Sequence, residues 1–482
     1  MNNDLMALEP KKVFEFFAEI LQIPRPSKKE DKIIEYLLKW GNDRKLETLR
    51  DEIGNVLIRK PATKGFEAKP WVCLQSHMDM VCEKNSDKVF DFEKDSIETY
   101  IEDGWLKAKG TTLGADDGIG MAMALAILDS DDIEHGNIEC LFTVDEETGL
   151  SGAEALKPDF LNSRILINLD SEDEGELFIG CAGGKDTMGK LPYELEPCTE
   201  GKAYRISVFG GKGGHSGDDI NKGLANANKV LNRILWTLND ALVYALASFE
   251  GGNLRNAIAR EANAVVVVDQ ENAKEMIEMV KKYNDDIRFE FRSTEPNLGV
   301  KIEEVERPKE VIDPMTQEDL LNVLYAIPHG VLAMSREIPN FVETSTNLAS
   351  VKMVDNCFVI ATSQRSSIET AKEAACDRNE ACLRLVGADV THGDGYPGWV
   401  PNPQSKILKI AEQSYEKLFG KKPIVRAIHA GLECGLIGEK YKGMDMISFG
   451  PTLRGVHSPD EKLEIKTVEM CWRHTLDILK NV

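Results

Sequence analysis

Three short apolar runs in this chain end alike. WVCLQS leads into His77 and Asp79, IECLFTV into Asp145, Glu146 and Glu147, and RILINL into Asp170. Runs of this length, rich in β-branched and aromatic residues, are strand-sized and too short for helices; NVLIRK is another. Between them lies GIGMAMALAIL, residues 118–128, apolar nearly all round and so a buried helix. Residues 11–23 and 28–42 carry amphipathic helical patterns. Strands alternating with helices specify an α/β fold, a mostly parallel sheet with helices on both faces. In such sheets ligands collect beyond the carboxyl ends of the strands, which is where these acids stand.

At 482 residues the chain is too long for one ordinary core. The pattern changes near residue 184. AYRISVFG and NAVVVVD read as strands, and 221–238 and 272–283 as helices. NFVETSTNLASVKMV and CFVIATSQR form a strand pair, and residues 368–386 a further helix. After the Gly/Pro-rich crossing GDGYPGWVPNP, the helix SKILKIAEQSYEKLF and the strand MDMISFG resume the first pattern. The expected organisation is a catalytic domain of residues 1–183 and 398–482, interrupted by an inserted α+β domain, 184–397.

A formal net charge of −23 repels phosphate backbones, so a nucleic-acid partner is not expected. No run reaches the roughly 18 apolar residues of a membrane span. The opening stretch MNNDLMALEPKKVFEFFAEI has neither a continuous apolar leader nor a small-residue cleavage site. The ten cysteines form no CxxC pair. Cys73, Cys82, Cys140 and Cys181 sit in or beside apolar runs and read as buried thiols. A reducing, cytoplasmic setting is expected.

Taken singly, each strand-end acid is an ordinary cap or turn residue. As a set they are not. MDMISFG is followed by His457, and GTTLGADDGIG places Asp116 and Asp117 at the start of the buried helix. So many acids at one sheet edge repel and desolvate one another unless a cation lies among them. Two histidines with three or four carboxylates suit a borderline metal such as zinc and argue against a hard calcium site. The set is too rich for one catalytic zinc and suits two metals sharing a carboxylate. Asp79, two residues beyond His77, lies on the same face of an extended chain and can orient the imidazole. Of Glu146 and Glu147, one can face the metals and the other act as a general base.

HMDMV, GTTLGADDGIG, TVDEETG, INLDSE, GGHSG and GVHSPDEKLEI, in this order, resemble the di-zinc exopeptidase clan. IPRPS, GGNLRNAIARE and HAGLECG extend the likeness over the whole chain, most closely to its Xaa-His dipeptidases. The resemblance implies His77 and Asp170 on one zinc, Glu147 and His457 on the other, and Asp116 bridging, in preference to Asp117. Cobalt or manganese could occupy the same positions. It implies Glu146 as general base and Asp79 as orienter of His77. The inserted domain then corresponds to a lid. Its His215 stabilises the oxyanion, in its own or a partner's centre, Arg365 holds a substrate carboxylate, and Asn256 touches substrate. Glu433 faces the substrate's amino end. His135, after a helix end, reads as a surface residue, and His429 is given no role. The expected activity is hydrolysis of small peptides, Xaa-His dipeptides including β-Ala-His, by a homodimer joined through the lid. No residue chemistry selects histidine. The alternatives are a broad dipeptidase, a tripeptide aminopeptidase, an N-acyl amino acid amidohydrolase, or a non-catalytic metal- or peptide-binding protein that would have lost a ligand or the base.

Overall fold

The computed structural model describes residues 5–482; the first four, part of the stretch read for a leader, lie outside the described residues. The chain forms two compact units. One holds the chain up to Gly180 with Trp399–Ala427 and Leu432–Val482; the other holds Cys181–Gly398 and Ile428–Gly431.

The first unit is built on an eight-stranded sheet. Its centre is parallel: Ile138–Thr143, Val72–His77, Ile165–Asn168 and Asp445–Ser448, side by side in that order. Every residue of the first two strands is buried, as the unbroken apolar runs require of strands covered on both faces. The margins are antiparallel. Val56–Lys60 pairs with Ile138–Thr143, and Glu47–Arg50 returns along Val56–Lys60. Those two strands are joined by only five residues, which Asp51 closes by accepting from the backbone N–H groups of Gly54 and Asn55. So short a link permits a hairpin and not a crossover. The helix Ala115–Asp129 is buried from Asp117 to Leu128 and packs on Val72–His77 and on the helix Lys11–Ile20.

The second unit is an antiparallel sheet. Its strands run in the order Gly299–Val305, Lys202–Phe209, Ala262–Val268, Tyr244–Gly251, Val342–Val354, Cys357–Ser366, Gly183–Pro192, Asp389–His392, with Gly330–Met334 paired to Val342–Val354. The amphipathic helices Ala227–Ala241 and Ala273–Glu290 and the helix Pro314–Ala326 cover its core.

Three local readings change. The helix expected from residue 221 starts at Ala227, because the Asn226 side chain accepts from the N–H groups of Asn228 and Lys229 and so caps it there. His135 is buried, not on the surface: its N–H donates to Thr63 Oγ1 and its carbonyl accepts from Thr63 N–H, which folds the loop inward. Cys82 lies beyond the end of its strand and is half-buried, while Cys73, Cys140 and Cys181 are buried. Among the described residues no helix is long and apolar enough to cross a membrane.

Candidate functional site

His77 is the last residue of Val72–His77 and stands opposite Thr143 in the parallel ladder. The chain leaving Thr143 therefore delivers Glu146 and Glu147 beside it. Asp170 follows the next strand, Ile165–Asn168, by two residues. Asp116 comes from the first turn of the buried helix.

His77 Nε2 lies 3.0 Å from Asp116 Oδ1 and 3.4 Å from Asp170 Oδ1. On the other side of Asp116, Oδ2 lies 3.3 Å from His457 Nε2, which is 3.0 Å from Glu147 Oε2. One carboxylate thus stands between two histidines, each with a further acid. Three overlapping groups bring ligand atoms within 4.8 Å of one another: His77 with Asp116 and Asp170, His77 with Glu146 and Glu147, and Asp116 with Glu147 and His457. Asp117 is in none of them; its carboxylate turns back to accept from Gly120 N–H.

Asp79 sits behind His77, with Oδ1 3.4 Å from Nδ1. It also accepts from Ser27 Oγ at 2.7 Å and from the N–H groups of Glu146 and Glu147 at 3.0 and 3.2 Å. One carboxylate therefore stands behind the imidazole and ties down the turn carrying the two glutamates. Burial alone would raise the Asp79 pKa, but His77, Ser27 and the Glu146 N–H outweigh it and hold it at about 2.

The remaining acids and both histidines feel this crowding. Burial, with the Asp116 charge beside it, pushes Asp170 well above the usual carboxylate range. Burial likewise raises Glu146, with Asp170, Glu147 and Glu433 adding to it. Burial opposes the charged form of His77, yet Asp170, Asp116 and Asp79 hold it protonated well above its usual pKa. The hydrogen bonds to Asp116 and Glu147 raise His457 to about 11. So many carboxylates pull protons onto whatever base is near; divalent cations on two imidazoles and three carboxylates would supply the same positive charge. The residues present fit such ions.

In the second unit, Arg365 is buried at the end of Cys357–Ser366. It donates through Nε to Ser216 Oγ at 3.2 Å and through Nη1 to Tyr396 Oη at 2.9 Å. No carboxylate pairs with it among the described residues. His215 Nδ1 accepts from the N–H groups of Gly217 and Asp218, which leaves its proton on Nε2. Burial, and then the Arg365 charge, lower its pKa and keep the ring neutral. Its Nε2 is 3.4 Å from Arg365 Nη2. Each is a donor from which an anionic oxygen can accept. Asn256 is exposed, and its carbonyl accepts from Ser216 N–H. His429, in the same unit, is buried with Nε2 2.7 Å from Ser345 Oγ.

Glu433 is buried in the first unit, where Gln75 Nε2 and Thr143 Oγ1 donate to it at 2.6 and 2.9 Å. Burial, partly offset by His77, raises it to about 7. Gln75 continues to Asn168, and Asn168 to Ser448, so a polar layer crosses three parallel strands beneath the acids. Sequence reasoning missed this layer, although Gln75 lies two residues before His77 on the same strand face. It also missed Tyr396, Arg25 and Glu461. The motifs IPRPS and PDEKLEI mark the last two without saying what they touch.

Residues 73–481 match the family model Peptidase family M20/M25/M40. The cytosol non-specific dipeptidase of Escherichia coli is 41% identical over 481 residues, 100% of this chain and 99% of that protein. The crystal structure of aminoacylhistidine dipeptidase from Vibrio alginolyticus superposes with a TM-score of 0.93 at 41% identity, over 99% of this chain and 98% of that one. Aminopeptidase PepT from Bacillus cereus shares the fold, with a TM-score of 0.56 at 19% identity over 98% of each chain. The chain belongs to the peptidase family M20/M25/M40 and is a metallopeptidase.

Proposed function

We propose that the chain hydrolyses dipeptides at a two-metal centre, Xaa-His dipeptides including β-Ala-His among them. The observation that carries this is Asp116 placed between His77 and His457, each histidine paired with a further acid. Two divalent ions bound there, zinc first and cobalt or manganese as alternatives, would acidify a water and polarise the scissile carbonyl. His77 and Asp170 would hold one ion, Glu147 and His457 the other, and Asp116 would contribute to both. Asp79 keeps the His77 ring turned so that Nε2 faces the centre. Glu146, brought alongside by the hydrogen bond from its N–H to Asp79, takes the proton from the attacking water and returns it to the leaving amine. Arg365 takes the terminal carboxylate of the dipeptide, with Tyr396 beside it. His215 donates from Nε2 to the carbonyl oxygen as it becomes an oxyanion. Asn256 and Glu433 contact substrate, Glu433 at the amino end.

A second reading, a dipeptidase without preference for histidine, is favoured by the name of the Escherichia coli relative. Hydrolysis of β-Ala-His and Gly-Leu, with and without added zinc, separates the two. Zinc-dependent cleavage of β-Ala-His in clear preference to Gly-Leu supports the Xaa-His reading, and equal cleavage supports the broad one. No metal-dependent cleavage of either contradicts both. That relative's name also places it in the cytosol, which supports a cytoplasmic setting here. A homodimer through the second unit completes the proposal; sedimentation as a monomer would remove it.

A further inference from the structure

The turn Leu113–Asp116 is gripped from two sides by buried side chains far away in sequence. Glu461 is 3% exposed. Its Oε2 accepts from the N–H groups of Leu113 and Gly114 at 2.7 and 3.0 Å, and its Oε1 from those of Ala115 and Asp116 at 2.8 and 3.4 Å. Arg25 is 2% exposed. Its Nη2 donates to the carbonyl of Gly114, and its Nη1 to the carbonyls of Met78 and Asp79 at 3.1 and 2.5 Å. The carboxylate takes the amides of the turn, and the guanidinium joins its carbonyl side to the segment that follows His77. Neither charge has an ion-pair partner among the described residues. Buried charges of this kind are tolerated only when polar groups are aimed at them, and here the aimed groups are the backbone that carries the acids.

Two glycines make room for the guanidinium. A Cβ at Gly114 or at Gly118 would come within 2.7 Å of Arg25 Nη2. Gly114 also has φ +70°, which alone favours glycine. Gly118 has no such reason. It lies in a buried helix, where alanine is otherwise the better residue.

We propose that Arg25 and Glu461 are positioning residues for the metal centre. They hold the Leu113–Asp116 turn so that the two oxygens of Asp116 face His77 and His457, and Gly118 is glycine because Arg25 occupies the space of its side chain. This rests on Asp116 being a metal ligand. Groups that orient ligands in this way are worth roughly 10–100-fold in metal affinity.

The test is titration of the full-length chain with Co²⁺, followed by calorimetry and by the visible absorption of the bound ion, which reports its coordination. Glu461→Gln and Gly118→Ala should each raise the Co²⁺ Kd by roughly 10–100-fold and change the absorption band, while the metal-free proteins still melt cooperatively. Gly118→Ala should add less than about twofold when placed on Arg25→Ala, since independent sites would add and coupled ones do not. The contact to Phe17 Cε2, 3.1 Å from the new Cβ, is common to both backgrounds. Wild-type affinity and an unchanged spectrum in both single variants would overturn the proposal. So would Gly118→Ala costing the same with and without Arg25. If the wild-type chain bound no Co²⁺, the metal reading itself would fail and this inference with it.

Discussion

The strand-end cluster of the first unit and the Arg365 pocket of the second are both largely buried, and each holds an excess of one sign. The first gathers Asp79, Asp116, Glu146, Glu147 and Asp170 around two histidines. The second gathers a guanidinium, a neutral imidazole and a phenol with no carboxylate bonded to Arg365 among the described residues. Burying unbalanced charge is unfavourable unless polar groups or a ligand of opposite sign complete it. Under the proposed function, cations complete the first and an anionic substrate group the second.

The largest effect should come from the acidic side. Chelation should abolish turnover, and added zinc should restore it. Glu146→Ala should lower kcat by about 10²–10⁴-fold with metal content unchanged; loss of metal in that variant would make Glu146 a ligand instead. On the cationic side, Arg365→Ala should raise KM by roughly 10–100-fold, the worth of a hydrogen bond to a charged group. The rise should vanish with a dipeptide C-terminal amide. An equal rise with the amide would break the comparison, since the pocket would then not be reading a carboxylate.

Acidification probes each unit through its buried histidines, His474 and His429 among them. Burial lowers His474 of the first unit to about 4 and His429 of the second, beside Arg365, to about 3. Both pKa values are depressed below the usual 6.5 or so. The unfolded chain therefore binds more protons as pH falls below about 6.5, and stability is lost from there down to the folded-state values. Each histidine should contribute about 2 kcal/mol of that loss by pH 5. Urea unfolding at pH 7 and pH 5 measures it, and His474→Gln should remove one share. The smallest effect is expected at Glu433→Gln. Its oxygen still accepts from Gln75 and Thr143, so kcat/KM should fall less than about tenfold, through KM, and only for dipeptides with a free amine. An equal fall for N-acylated substrates would remove Glu433 from the amino end.

The parallel centre of the first sheet was legible because each strand is a continuous apolar run ending in chemistry. Its antiparallel margins were not, because a five-residue hairpin and a long crossover leave the same apolar signature in the strands themselves. The acids were legible as a set because they recur at the same point of successive strands. Arg25 and Glu461 were not. They bind backbone, across 89 and 345 to 348 residues of sequence, and backbone contacts impose no residue type on the partner. Tyr396 sits in a Gly/Pro-rich crossing, where nothing in the local pattern says which side chain turns inward.

The most direct test of the excess-charge argument is the metal content of dialysed, zinc-reconstituted protein by mass spectrometry. The account predicts near two ions per chain. One ion, or none, would contradict it, because a single cation leaves Asp116 with nothing to bridge.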